Sequence, residues 1–87
     1  MDSPLVSVII PCYKAGESIK QTLESIKNQS YRDVEIVCVD SDDQPNKETE
    51  KIAEKYGKYL LYGPERSNKR NYGAKNSSGK YLLFIDK

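Results

Sequence analysis

A chain of 87 residues has room for one small domain, expected here over residues 1–87, and its apolar share of 37% supports a single thin core. No stretch approaches the ~20 apolar residues of a membrane-spanning helix, and Met1-Asp2-Ser3-Pro4 does not read as a secretory signal. The net charge of +1 hides an asymmetry, since residues 1–57 carry 7 basic and 11 acidic side chains and residues 58–87 carry 7 basic and 2 acidic. The basic third has no arginine-rich helix and no aromatic-rich RNA-binding signature, so no nucleic-acid partner is expected. A chain without histidine cannot run a Ser-His or Cys-His nucleophile system. Cys12 and Cys38 are too few for a disulfide framework and lack metal-ligand spacing. They are expected to be reduced thiols in a cytoplasmic protein.

Leu5-Val6-Ser7-Val8-Ile9-Ile10 is a short β-branched run and predicts a buried strand stopped by Pro11. Gly16-Glu17-Ser18 opens a helix with Ile19, Leu23 and Ile26 at helical spacing, fading near Asn28-Gln29-Ser30. Val34 through Val39 predicts a second strand, ending in the acidic turn Asp40-Ser41-Asp42-Asp43. Asp42 or Asp43 could cap the helix that follows. Pro45-Asn46 precedes that second helix, which shows Thr49, Ile52, Ala53 and Tyr56 on one face. Gly57 is placed to stop it in a left-handed conformation. Lys58-Tyr59-Leu60-Leu61-Tyr62 predicts a third strand, closed by Gly63-Pro64. Ser67 could cap a third helix running to about Ser77, weakened by Gly73. Tyr81-Leu82-Leu83-Phe84-Ile85 predicts a fourth strand, ending at Asp86.

Strands and helices thus alternate with short connections, and the strands are near-continuously apolar. This pattern predicts an α/β sandwich, a mainly parallel sheet with helices on both faces. In such sheets ligands bind beyond the carboxyl ends of the strands. Three strand ends are polar there: Pro11-Cys12-Tyr13, Asp40-Ser41-Asp42-Asp43, and Asp86. No GxGxxG follows the first strand and no GxxxxGK[ST] occurs anywhere, so the dinucleotide fingerprint and the P-loop are both absent.

These residues carry a resemblance. Val6-Ser7-Val8-Ile9-Ile10-Pro11-Cys12-Tyr13, with Glu17 shortly after, resembles the opening of the family-2 glycosyltransferases of GT-A fold. Ser25-Ile26-Lys27-Asn28-Gln29-Ser30-Tyr31 is similar to the family's S-I-x-x-Q-T/S-Y segment, and Val34 through Asp40 to its second strand ending in V-D. Lys69-Arg70-Asn71-Tyr72-Gly73-Ala74 resembles its R-N-x-G helix, and Gly79 through Asp86 the strand that leads into its DxD motif. The pieces follow one another in order over essentially the whole chain.

The resemblance implies a Rossmann-like three-layer sandwich with a four-stranded sheet in the order 3-2-1-4. It implies a transferase that moves a sugar from a nucleotide-sugar, most commonly a UDP-sugar, to an acceptor. Pro11, Tyr13 and Glu17 would line the base and ribose, and Asp40 would accept a hydrogen bond from the base. Arg70 would stand near the donor pocket. Asp86 would be the first aspartate of an incomplete DxD, near a Mg²⁺ or Mn²⁺ ion that the full-length parent would hold and this chain would not bind tightly. The sequence departs from the pattern at Lys14, where Asn is frequent, and at Ser41, where a second acid is usual. It reaches Lys87 one residue before the second aspartate of DxD would fall. The isolated chain is therefore expected to be inactive, with at most weak nucleotide binding.

Other readings of the same residues stand beside this one. Tyr13 could pack half-buried, Glu17 could serve the first turn of its helix, and Arg70 could be a solvated helix charge. A non-catalytic α/β binding or structural module would describe the behaviour of the isolated chain and is compatible with transferase ancestry. A Mg²⁺-dependent aspartyl phosphotransferase built on Asp40-Ser41-Asp42 would need a hydroxyl residue where Gln44 stands.

Overall fold

The computed structural model describes residues 4–63 and 65–86. Met1, Asp2, Ser3, Pro64 and Lys87 lie outside the described residues. So do the expectations placed on the N-terminal segment, on the proline of the Gly63-Pro64 turn and on Lys87. The elements follow one another as β1 (Val6–Pro11), α1 (Ser18–Asn28), β2 (Val34–Ser41), α2 (Lys47–Glu54), β3 (Lys58–Tyr62), α3 (Arg66–Lys75) and β4 (Tyr81–Phe84). The strands form one sheet in the order β3-β2-β1-β4. Every pairing is parallel, with Ile10 opposite Cys38, Ile9 opposite Phe84 and Val39 opposite Leu60. The expected order and parallelism are present.

Side chains alternate across a strand, so each central strand feeds two cores. Val8, Ile10 and Cys12 of the first strand region, with Ile36 and Cys38, pack under Ile19 and Leu23 of α1 and Ala53 of α2. Ile9, Val37 and Val39 point the other way, joined by Leu60 and by Tyr72 of α3. Each fully buried aliphatic side chain contributes about 1.5–3 kcal/mol. Burial on both faces is why β1 and β2 are nearly unbroken apolar runs rather than alternating ones.

Several local expectations change, each for a physical reason. Pro11 does not stop β1 but is its last residue. The next N–H, that of Cys12, donates to Val39 O on the β2 side at 2.8 Å, so the Pro11 nitrogen faces the β4 side. There the last bond runs from Ile85 N to Ile9 O at 3.0 Å, and Pro11, having no N–H, ends the ladder to β4. β2 runs two residues past Val39, because Asp40 and Ser41 pair with Leu61 and Tyr62 of β3. The cap of α2 is Asn46, whose Oδ1 accepts from Thr49 N at 2.8 Å, rather than Asp42 or Asp43. α3 begins at Arg66, one residue before Ser67, and Glu65 in its N-cap position makes no side-chain cap.

Two glycines owe their places to space. Gly57 is not in a left-handed conformation, but a Cβ there would lie 2.2 Å from Ile36 O. Gly73, far from weakening α3, lets the helix sit close on the sheet, since its Cβ would lie 2.5 Å from Ile9 Cγ2.

At the amino edge a polar knot ties the α3–β4 connection down. Glu35 accepts from Ser7 Oγ at 2.7 Å and from Ser78 N at 2.8 Å, and pairs with Lys58 Nζ at 3.2 Å. Gly79 N in turn donates to Ser7 Oγ at 2.8 Å. This fixes the start of β4. Its four residues Tyr81, Leu82, Leu83 and Phe84 remain 44–54% exposed.

Candidate functional site

The chain moves outward from β1 to β2 and β3, then returns to the other side of β1 for β4. The strand order therefore reverses at β1, and the crevice at its carboxyl end is the place where such sheets bind ligands. Beyond Pro11 the backbone turns sharply. Lys14 has φ +51° and Gly16 φ +53°, and Gly16 N donates to Thr49 Oγ1 at 2.9 Å. Position 14 is thus in the left-handed region, which Asn tolerates better than Lys. That accounts physically for the Asn that the resemblance leads one to expect there. The turn leaves Tyr13 53% exposed at the rim.

A cleft of about 240 Å³ opens here, lined by Pro11, Cys12, Tyr13, Arg66 and Lys69. Lys69 comes from α3 and is 2% exposed. Its ammonium donates to Cys12 O at 2.8 Å and to Ser41 Oγ at 2.7 Å, joining the ends of β1 and β2. Nζ also lies 5.6 Å from the centroid of the Tyr13 ring, and Lys14 Nζ lies 5.2 Å from it. The Cys12 thiol takes no nucleophilic part. The Cys38 thiol beside it, and then burial, push it far above the ordinary thiol range, so it stays protonated.

Asp40 is fully buried, with 0% exposure. One carboxylate oxygen accepts from Ser41 N at 2.9 Å; the other accepts from Asn46 N at 3.1 Å and from the Tyr59 hydroxyl at 2.6 Å. Burial and this carboxylate together push the Tyr59 phenol well above its usual value. Both oxygens of Asp40 thus have protein donors, where the resemblance implied acceptance from a base. Its place in the site is to hold the β2–α2 loop and to keep Ser41 where Lys69 reaches it.

On the far side of β1, Arg70 of α3 pairs with Asp86 just beyond β4. Both are partly exposed, and the buried Arg70 Nε has no partner among the described residues. Asp86, the metal ligand that the resemblance implies in this sequence, is paired with Arg70. Among the described residues no group of three or more Cys, Asp or Glu is gathered as a metal would need. The residues present do not by themselves fit a metal centre.

Glu17 falls elsewhere. It lines the broad groove between α1 and α2, about 590 Å³, together with Glu48, Lys20, Lys47, Lys51 and Lys55. That groove is larger than the cleft at β1, yet its mixed charges point to no common ligand and its lining comes from α1, α2 and their flanks. Pro11 and Tyr13 therefore share one cleft, Arg70 and Asp86 form a pair beside it, and Glu17 joins neither. Lys69 was not singled out from the sequence as a site residue. The signal available was its spacing, one helical turn before Gly73 on the face that α3 buries.

Comparisons with known proteins agree with this fold. The sequence pattern of Glycosyl transferase family 2 matches residues 7–87. An "Uncharacterized glycosyltransferase" of Rickettsia felis is 35% identical over 86 residues, which is 94% of this chain and 14% of that protein. The poly(ribitol-phosphate) beta-N-acetylglucosaminyltransferase TarP of Staphylococcus aureus is 32% identical over 89 residues, covering 93% of this chain and 27% of TarP. The crystal structure of S. aureus TarS superposes with a TM-score of 0.77 at 30% identity, over 94% of this chain and 16% of that one. The mannosyltransferase PcManGT of Pyrobaculum calidifontis, solved in complex with GDP-Man and Mn²⁺, shares the fold with a TM-score of 0.78 at 23% identity, over 98% of this chain and 28% of that one. The chain thus spans only a small part of the proteins it matches, and it belongs to glycosyl transferase family 2.

Proposed function

We propose that this chain supplies the donor-nucleotide part of a glycosyltransferase that moves a sugar from a nucleotide-sugar to an acceptor. The observation that carries the reading is the cleft at the carboxyl end of β1, where Pro11, an exposed Tyr13 ring and the Lys69 ammonium meet. A flat base edge fits beside Tyr13, and stacking on an aromatic ring contributes about 1–3 kcal/mol. Lys14 and Arg66 at the rim bring positive charge toward the phosphates, and Arg70 adds more on the β4 side. The reading takes further support from the family and from the GDP-Man held by PcManGT. UDP-sugars are the donors we favour.

A Mg²⁺ or Mn²⁺ ion, where a longer parent holds one, would offset charge on the departing diphosphate. Asp86 offers it one ligand and no more. The 87-residue chain alone binds nucleotide and transfers no sugar. A cytoplasmic setting is part of the proposal, in keeping with two buried free thiols.

The test is a chemical-shift titration of the chain with UDP, GDP, ADP and inorganic pyrophosphate. Binding free energy of about 4 kcal/mol corresponds to a dissociation constant on the order of 1 mM, which is the affinity expected. Nucleotides should move the amides of Cys12, Tyr13 and Ser41, and Tyr13→Ala should weaken them about fivefold or more. Shifts confined to surface lysines, equal for UDP and pyrophosphate, would sink the proposal.

A further inference from the structure

Lys69 presents a chemical imbalance that the donor-site reading does not by itself explain. A buried ammonium is costly unless its charge and its three N–H groups are matched. At 2% exposure this one has two neutral acceptors, Cys12 O and Ser41 Oγ. Among the described residues no carboxylate lies within ion-pair distance of it, the pairs formed being Lys58 with Glu35 and Arg70 with Asp86. The nearby Asp40 is turned to Ser41 N, Asn46 N and Tyr59. One N–H of Lys69 is left, and the side chain lines the cleft under the exposed ring of Tyr13.

We propose that Lys69 determines base specificity: its remaining N–H donates to a ring carbonyl of a nucleobase lying against Tyr13, so the cleft accepts oxo bases such as uracil or guanine and disfavours adenine. The inference rests on the reading of this edge as a nucleotide site and names the group that selects within it. An ammonium donates and cannot accept, so the amino group of adenine facing it would leave two donors opposed. A carbonyl oxygen meets it with a charge-assisted hydrogen bond. A phosphate is a poorer match, because it is bulky and calls for several donors at once. The exposed Arg66 and Lys14 at the rim suit it better than one recessed N–H.

The experiment compares UDP, GDP, ADP and pyrophosphate on the wild-type chain and on Lys69→Met. The wild type is expected to favour UDP and GDP over ADP about tenfold. Lys69→Met should cut that preference at least fivefold by weakening the oxo bases, with pyrophosphate affinity unchanged. A preference that survives Lys69→Met, or equal losses for all four ligands, would overturn the assignment while leaving the donor site standing. Failure of every nucleotide to bind the wild type would remove both readings.

Should Lys69→Met not fold, the ammonium can be followed directly in the wild-type chain through its side-chain ¹⁵Nζ resonance. Movement with UDP and not with ADP or pyrophosphate supports the proposal. Equal movement with all three refutes it.

Discussion

Asp40→Asn tests whether the buried carboxylate acts as the clamp of the β2–α2 loop. The substitution keeps shape and one oxygen, so Ser41 N retains its acceptor at the position now 2.9 Å away. The new NH₂ group falls where Oδ2 meets Asn46 N and the Tyr59 hydroxyl. Tyr59 can rotate its hydroxyl and accept instead of donating. The Asn46 N–H cannot, and it is left facing another donor. An unsatisfied buried donor costs about 1–3 kcal/mol, and two charge-assisted bonds reduced to neutral ones cost roughly 0.5–1 kcal/mol each. The sum is about 2–5 kcal/mol, a large share of the ~5–15 kcal/mol that stabilises an ordinary domain.

Urea denaturation followed by circular dichroism should show a lower midpoint with an unchanged slope. Amide exchange should quicken first at Asn46. In a double-mutant cycle with Tyr59→Phe the two changes should couple by about 1–2 kcal/mol. A loss below about 0.5 kcal/mol for Asp40→Asn, or strict additivity in the cycle, would refute the clamp.

Other expectations follow from the same contacts. Burial works to raise the Glu35 carboxyl, but hydrogen bonds from Ser78 N and Ser7 and the Lys58 ammonium outweigh it and hold the group below its usual value. Its contribution is therefore present above the unfolded-state pKa of about 4.3 and is lost as pH falls through the lower folded value. Denaturation midpoints measured between neutral pH and pH 3 should fall on the acid side, and Glu35→Gln should flatten that limb; an unchanged limb in the variant would exclude Glu35 as its source. Gly57→Ala would put a methyl group 2.2 Å from Ile36 O, so α2 must shift from β2, at a cost of about 1–3 kcal/mol by analogy with overpacking; a thermal midpoint within 2 °C of wild type, read with a small domain's ~4–8 °C per kcal/mol, would contradict it. Lys14→Asn keeps φ near +51° with less strain and should stabilise the chain by about 0.5–1 kcal/mol; a loss of stability would show that the Lys14 contact with the Tyr13 ring outweighs the backbone.

The exposed apolar row of β4 separates what a family pattern shows from what this chain accomplishes alone. Tyr81, Leu82, Leu83 and Phe84 have the β-branched and aromatic character of strand formers only in part, yet they pair with β1 over four residues. The pairing is secured less by side-chain burial than by the polar knot at Glu35, Ser7 and Gly79. Packing on one side and hydrogen bonding at one end are enough to place Asp86 beside Arg70.

Periodicity in the sequence was sufficient for the alternation of elements, for the parallel sheet and for the helical faces through Ile19, Leu23 and Ala53. These depend on whether successive side chains meet core or solvent, which composition records residue by residue. The motif resemblance supplied the strand order and placed Pro11, Tyr13, Arg70 and Asp86 at one edge. What each polar group does there was decided only by the tertiary structure. The resemblance implies a ligand contact for Asp40, and only the tertiary structure shows that Asn46 and Tyr59, 6 and 19 residues away, both donate to one of its oxygens. Gly57 could be read as a conformational stop, whereas Ile36 O, from a different element, forbids it a side chain. Lys69 becomes a site residue only because α3 lays it across the ends of β1 and β2, where it reaches Cys12, 57 residues away. Burial and hydrogen bonding of a polar group are set by partners distant in the chain, and no local pattern carries that information.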